Sequence, residues 1–212
     1  MTRGLIFDMD ELLVSSAPEW RFAEEALLNA MGRVWTPDLA AQYKGMNSLD
    51  VARVIHETFR PAWPLAESQR ILRDTLIAKF TGNVRPMPGA VELIKRVSGR
   101  APMAVASGSP FPVIEYAMTS LGIRDYFTQI ISSEQVARGK PHPDVFLAAA
   151  EALDVAPADC LVFEDSLIGV RAAKAAGMRC FAVNKPNEEI ARAATRMFAS
   201  LADISTGDIF EG

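Results

Sequence analysis

Short apolar runs alternate with helix-length amphipathic segments along most of the chain, and that alternation constrains its fold more than any other feature. Strands separated by helices cannot pair as hairpins. They build a parallel sheet covered by helices. The runs predict strands at Gly4–Phe7, Met103–Ala106, Phe127–Ile131, Leu161–Phe163, Cys180–Val183 and Arg196–Ala199. Helices are expected at Ala90–Val97, Pro112–Leu121, Pro143–Leu153, Leu167–Ala176 and Glu188–Ala194. The expected class is α/β, with a Rossmann-like parallel-sheet core and helices on both faces.

One interval breaks the rhythm. From about residue 16 to residue 83 no strand pattern occurs, and the segment reads as four helices. Ser16-Ala17-Pro18-Glu19 has the spacing of a capping box. The helix it opens carries Trp20, Ala23, Leu27 and Met31 on one side, and Gly32 ends it. Pro37 suits the first turn of a second helix. A third starts at Asn47 or Ser48, with Val51, Val54, Ile55 and Phe59 along one face. A fourth runs from about Leu65 to Phe80. The expected organisation is a discontinuous α/β core, 1–15 and 84–212, with a helical cap domain, 16–83, inserted after the first strand. The crossings near 14–16 and 82–88 are candidate hinges.

Half of the 212 residues are apolar, enough for a sizeable core, and the net charge is -4. A mildly acidic chain offers no electrostatic reason to bind nucleic acid or an anionic membrane. Cys160 and Cys180 lie in apolar stretches and read as reduced core thiols. No Cys/His metal spacing, leader pattern or membrane-length apolar run is evident. The expectation is a cytoplasmic monomer or weak dimer acting on a small molecule.

Ligands of an open parallel sheet bind beyond the carboxyl ends of its strands. Asp8 and Asp10 follow the first strand. Ser107-Gly108-Ser109 follows the second, and a loop holding Lys140 follows the third. Glu164 and Asp165 follow the fourth. Each group alone has an ordinary explanation: a capped strand end, a turn, a solvated lysine, acids complementing a helix dipole. Their coincidence at successive strand ends favours phosphoryl transfer. Carboxylates from two strands can hold Mg2+. Ser107 and nearby backbone N–H groups can take phosphate oxygens, and Lys140 can oppose the transferred charge. One acid can attack phosphorus while the other moves the leaving-group proton.

FDMDELLVSS, VASGS, GKPHPDVF and FEDSLIGVRAAKAAG, in that order, resemble the four motifs of the haloacid dehalogenase (HAD) superfamily. The helical insert resembles its C1-type cap. Within the superfamily the chain is similar to the β-phosphoglucomutase-like group, which includes many sugar-phosphate phosphatases. The resemblance implies Asp8 as nucleophile and Mg2+ ligand. It implies Asp10 as general acid/base, with its backbone carbonyl on the metal. Ser107 and Gly108 would bind phosphate, and Lys140 would steady Asp8. Asp165 would be a metal ligand, with Glu164 as ligand or supporting group. The small-residue helix 169–177 reads as close packing against the sheet, without chemistry.

The chain departs from the family pattern at Glu11, usually Gly, at Leu12, at Ser15-Ser16 and at Ala17. Lys44-Gly45 matches a step in the mutases, but Ser48 stands where they carry a phosphate-gripping Arg. Trp20 behind a Pro resembles the hexose- and hexitol-phosphate phosphatases. The implied function is a Mg2+-dependent phosphatase for a small phosphorylated sugar or polyol, with Lys44, Trp20 and Asn47 as substrate contacts. The alternatives are a β-phosphoglucomutase-like mutase, a degenerate non-catalytic phosphosugar binder, and a receiver-type phosphoacceptor module. A receiver has no cap.

Overall fold

The structure, a computed structural model, describes residues 2–82 and 84–211. Its strands are β1 (Gly4–Phe7), β2 (Met103–Ser107), β3 (Gln129–Ser132), β4 (Cys160–Glu164), β5 (Arg179–Val183) and β6 (Arg196–Phe198). They form one sheet in the order β3-β2-β1-β4-β5-β6, every pairing parallel. The order reverses between β1 and β4, so the crevice of the fold opens above those two strands. Five of the expected strands shift by a residue or two at an end. Phe127, expected at the start of β3, instead ends a short 3-10 turn and packs edge-on against Phe7, centroids 6.0 Å apart.

Side chains alternate across the sheet. One face carries an aromatic row: Phe7 stacks flat on Phe163 with centroids 4.5 Å apart, and Phe181 meets Phe163 edge-on at 5.9 Å. Phe7 and Phe163 are register partners, so the residues after them, Asp8 and Glu164, start from a common rigid floor. The other face is lined with smaller groups, Ile6, Ala104, Val162 and Cys180. The helices divide accordingly. α5 (Ala90–Val97) and α6 (Phe111–Ser120) cover the aromatic face. α7 (Asp144–Ala152), α8 (Leu167–Ala175) and α9 (Glu188–Ala193) cover the other. Cys160 and Cys180 are buried free thiols, on neighbouring strands.

The inserted cap consists of α1 (Ala17–Ala30), α2 (Pro37–Ala41), α3 (Ser48–Phe59) and α4 (Leu65–Phe80). Leu27 and Leu28 of α1, Val51 and Ile55 of α3, and Leu72 and Leu76 of α4 are fully or nearly fully buried. They form the cap's own apolar centre, worth about 1.5–3 kcal/mol per large side chain removed from water. The two crossing segments run side by side: Ser15 N–H donates to Arg85 O at 2.9 Å and Met87 N–H to Leu13 O at 3.0 Å.

The start of α1 differs from the sequence expectation. The Ser16 side chain caps nothing, and its Oγ is buried with no partner among the described residues. Glu11 does the work instead: its Oε1 accepts from Ser16 N–H and Ala17 N–H, both at 2.8 Å. Ser16 has helical backbone angles, φ -119° and ψ -6°, which do not point its hydroxyl back at the helix. Glu11 reaches the helix end from a left-handed conformation, φ 57°, which glycine adopts without a Cβ penalty.

Candidate active site

Asp8 follows β1 directly and is 4% exposed. Lys140, 4% exposed, donates to Asp8 Oδ1 and to Glu164 Oε1, both at 2.6 Å. The other Glu164 oxygen accepts from Ser166 N–H at 2.7 Å and Ser166 Oγ at 3.0 Å. Among the described residues nothing donates to the Asp165 carboxylate, while its backbone carbonyl accepts from Asn184 Nδ2 at 2.5 Å. Gly169 takes part here as well. A Cβ on it would overlap the Glu164 carboxylate, so the first turn of α8 keeps a glycine to leave that acid in place. Close packing therefore does not exhaust the role of the small-residue helix.

Burial raises Asp8, and the charges of Glu164 and Asp10 add to the effect; Lys140 opposes it, and the group is pushed up to about 8. Asp165 is raised well above the ordinary range, first by burial and then by Glu164 and Asp8. Burial pulls Lys140 down, but the carboxylates of Asp8 and Glu164 outweigh it and hold the ammonium above its usual value. Three acids face one lysine. Asp8, Glu164 and Asp165 can each offer an oxygen within 4.8 Å of the others. An all-oxygen, net-negative donor set, two of its acids buried and Asp165 half-buried, suits a divalent cation such as Mg2+. Of the three, Glu164 is the most fully hydrogen-bonded to protein and Asp165 the least.

Asp10 is held from both sides. Ser107 Oγ and Ser109 Oγ donate to its Oδ2 at 3.0 and 2.9 Å, and Trp20 Nε1 from the cap donates to Oδ1 at 2.8 Å. Ser107 is thus engaged with Asp10 and with Ser109 N–H. The cap and core enclose a cavity of about 430 Å3 whose walls include Asp8, Asp10, Trp20, Lys44, Gly108, Lys140, Glu164 and Asp165. Of the residues singled out from sequence, Ser107 and Asn47 are not in these walls. Asn47 caps α3 through Asp50 N–H at 2.9 Å, and its amide lies against Gly139. Ser48 holds cap to core: its N–H donates to Gly108 O at 3.2 Å and its Oγ to Glu134 Oε1 at 2.6 Å.

Sequence reasoning missed Glu24, Trp35 and Tyr43, which also line the cavity. Glu24 carried a signal. It lies one turn after Trp20 and beside Ala23, so a carboxylate falls inside the apolar stripe of α1.

Fold and site together define a capped α/β protein built around a buried aspartate at a topological switch point. The chain belongs to the haloacid dehalogenase-like hydrolases, a family that matches residues 2–177. It is 33% identical over 175 residues to fructose-1-phosphate phosphatase YqaB of Escherichia coli (strain K12), covering 82% of this chain and 93% of that protein. It is 32% identical over 192 residues to hexitol phosphatase B of the same organism, covering 87% and 84% of the two chains. The structure of CbbY from Rhodobacter sphaeroides in complex with phosphate superposes with a TM-score of 0.81 at 28% identity, over 96% of each chain. β-Phosphoglucomutase from Clostridium difficile gives a TM-score of 0.87 at 23% identity, over 100% of this chain and 96% of that one, a likeness of fold.

Proposed function

We propose that this chain is a Mg2+-dependent phosphatase of small phosphorylated sugars or polyols, working through an aspartyl-phosphate on Asp8. The observation that carries the reading is the pairing of Asp8 with Lys140 beside Glu164 and Asp165, under a cap that reaches Asp10. The named activities of the two bacterial relatives support the substrate class.

Lys140 fixes the Asp8 carboxylate and opposes the negative charge that gathers as phosphorus is attacked. Asp8 oxygen bonds to phosphorus while the bond to the sugar oxygen breaks, and Asp10 gives that oxygen a proton. Water then attacks the aspartyl-phosphate, Asp10 recovers a proton from it, and phosphate leaves. Asp8, Asp165 and the Asp10 carbonyl would hold Mg2+, with Glu164 in support; the ion would screen the charge between carboxylate and phosphate. Further closure of the cap, 16–83, would exclude bulk water during the first step, and the cap swings on the paired crossing segments to admit substrate and release product.

The test is phosphate release from a panel of sugar and polyol phosphates, with and without Mg2+, for the wild type and Asp8→Asn. Metal-dependent turnover lost in the variant is expected. Turnover that needs a sugar bisphosphate as activator would identify a mutase. No turnover of any substrate would overturn the proposal in favour of a binder.

A further inference from the structure

Glu24 is the most buried charged residue of α1, only 8% exposed, and it lines the cavity. Both of its hydrogen bonds go to a single oxygen: Trp35 Nε1 donates to Oε2 at 2.6 Å and Tyr43 OH to Oε2 at 3.3 Å. Among the described residues no donor serves Oε1, and no cation forms an ion pair with Glu24. Arg21, whose charge acts on Glu24, is committed elsewhere. Its Nε pairs with Glu25 at 2.8 Å and its guanidinium lies over the Trp35 ring, 4.4 Å from the centroid.

Oε1 is not sealed off: it keeps access to the cavity, where its acceptor capacity is left for a ligand or solvent to fill. Burial raises the proton affinity of the carboxylate, although the Trp35 and Tyr43 hydrogen bonds pull the other way. Bracing Trp35 and Tyr43 does not need a charge, because one neutral amide oxygen can accept both bonds, if more weakly than a carboxylate. The walls around Glu24 are largely apolar: Trp20, Trp35, Ala40, Tyr43, Met46 and Val51. A carboxylate oxygen beside aromatic faces can take a polyhydroxylated carbon skeleton, C–H groups on the rings and a hydroxyl on the carboxylate.

We propose that Glu24 is a specificity-determining residue, its Oε1 accepting from a hydroxyl of the sugar or polyol part of the substrate, away from the phosphate. The proposal rests on the phosphosugar reading of the site. It adds that this cap reads the carbon skeleton by a hydrogen bond from the first cap helix.

Glu24→Gln separates this from a bracing role. Its amide oxygen keeps the bonds to Trp35 and Tyr43, while the cavity-facing acceptor becomes an N–H donor. Binding is read from the fluorescence of the cavity tryptophans, so turnover is not required. The expected result is that a polyol phosphate binds about tenfold or more weakly to the variant, while inorganic phosphate binds equally to both proteins and the melting temperature is kept. A series of deoxy polyol phosphates should then contain one member that the wild type binds weakly and that the substitution weakens no further.

Equal weakening for polyol phosphate and inorganic phosphate, or no weakening for either, would overturn the proposal. Should the variant not fold, the deoxy series on the wild type decides: indifference to every hydroxyl refutes the role. Binding that follows this pattern without phosphate release would leave Glu24 as a hydroxyl reader and refute the phosphatase instead.

Discussion

The indole Nε1 of Trp20, on the first cap helix, donates to Asp10 Oδ1 of the core at 2.8 Å. Two serine hydroxyls of the core hold Oδ2, so this bond is the cap's own contribution to fixing the Asp10 carboxylate. Under the proposed mechanism, seating the cap completes the placing of the acid that would move the proton. Trp20→Phe keeps the aromatic bulk and removes the donor. A hydrogen bond to a charged group is worth about 1.5–3 kcal/mol, so kcat is expected to fall about ten- to a hundredfold. The fold should keep its melting temperature. A change confined to KM would show that Trp20 only shapes the pocket.

Asp8 gives a pH dependence with a defined sign. Its folded-state value is pushed up to about 8, mainly by burial. The stability tied to its bound proton is therefore present in acid and lost as pH rises through about 8. In the proposed site Mg2+ would displace that proton, and any proton held by Asp165 as well, so its apparent affinity should rise with pH by at least about tenfold per unit below about 8. Titration with Mg2+ at several pH values, read as the rise in melting temperature, checks this. A flat affinity from pH 6 to 8 would show that Asp8 binds the metal without losing a proton.

Gly169→Ala is expected to be severe for its size. The new methyl group would occupy the space of the Glu164 carboxylate, which holds Lys140 at 2.6 Å. Displacing one end of a buried ion pair costs about 3–5 kcal/mol where it is left uncompensated. Activity should drop by orders of magnitude, and Lys140 should lose its hold on Asp8. Alanine at Gly177, where no atom lies within 4 Å of the added group, serves as the control for a left-handed glycine, φ 74°. That variant should lose about 1 kcal/mol of stability and keep its activity.

Glu11 sets two effects against each other. Its left-handed backbone, φ 57°, costs about 1–2 kcal/mol. Its carboxylate serves two N–H groups at the start of α1, each bond to a charge worth about 1.5–3 kcal/mol. Glu11→Ala keeps the strain and loses both bonds, and should be the least stable variant. Glu11→Gly loses the bonds but relieves the strain, and should fall between alanine and wild type. Thermal melts rank them, and hydrogen exchange at Ser16 and Ala17 should speed up in both. A glycine variant more stable than wild type would mean the carboxylate contributes less than the strain.

Much of this molecule is legible in order along the chain. Apolar runs fix strand positions because a buried parallel strand must be apolar on both faces. The acids after Phe7 and Phe163 could be assigned to one crevice from strand order alone, because a parallel sheet exposes all its carboxyl ends on one side. The cap could be recognised by the absence of strand patterns.

What the sequence left open depends on contacts between residues far apart. Ser16 has the spacing of a capping residue, yet the backbone turns its hydroxyl away and a glutamate five positions earlier takes the helix end. Asn47 looked like a ligand of the substrate and is occupied by its own helix, while Ser48 reaches across 86 residues to Glu134. Local periodicity determined which segments are helices and strands, because each element buries its own stripe. Only the tertiary structure decided that Glu24 faces a cavity, that Trp20 meets Asp10, and that Gly169 must stay small. Those outcomes depend on how two independently patterned layers meet, and a one-dimensional pattern carries no term for that distance.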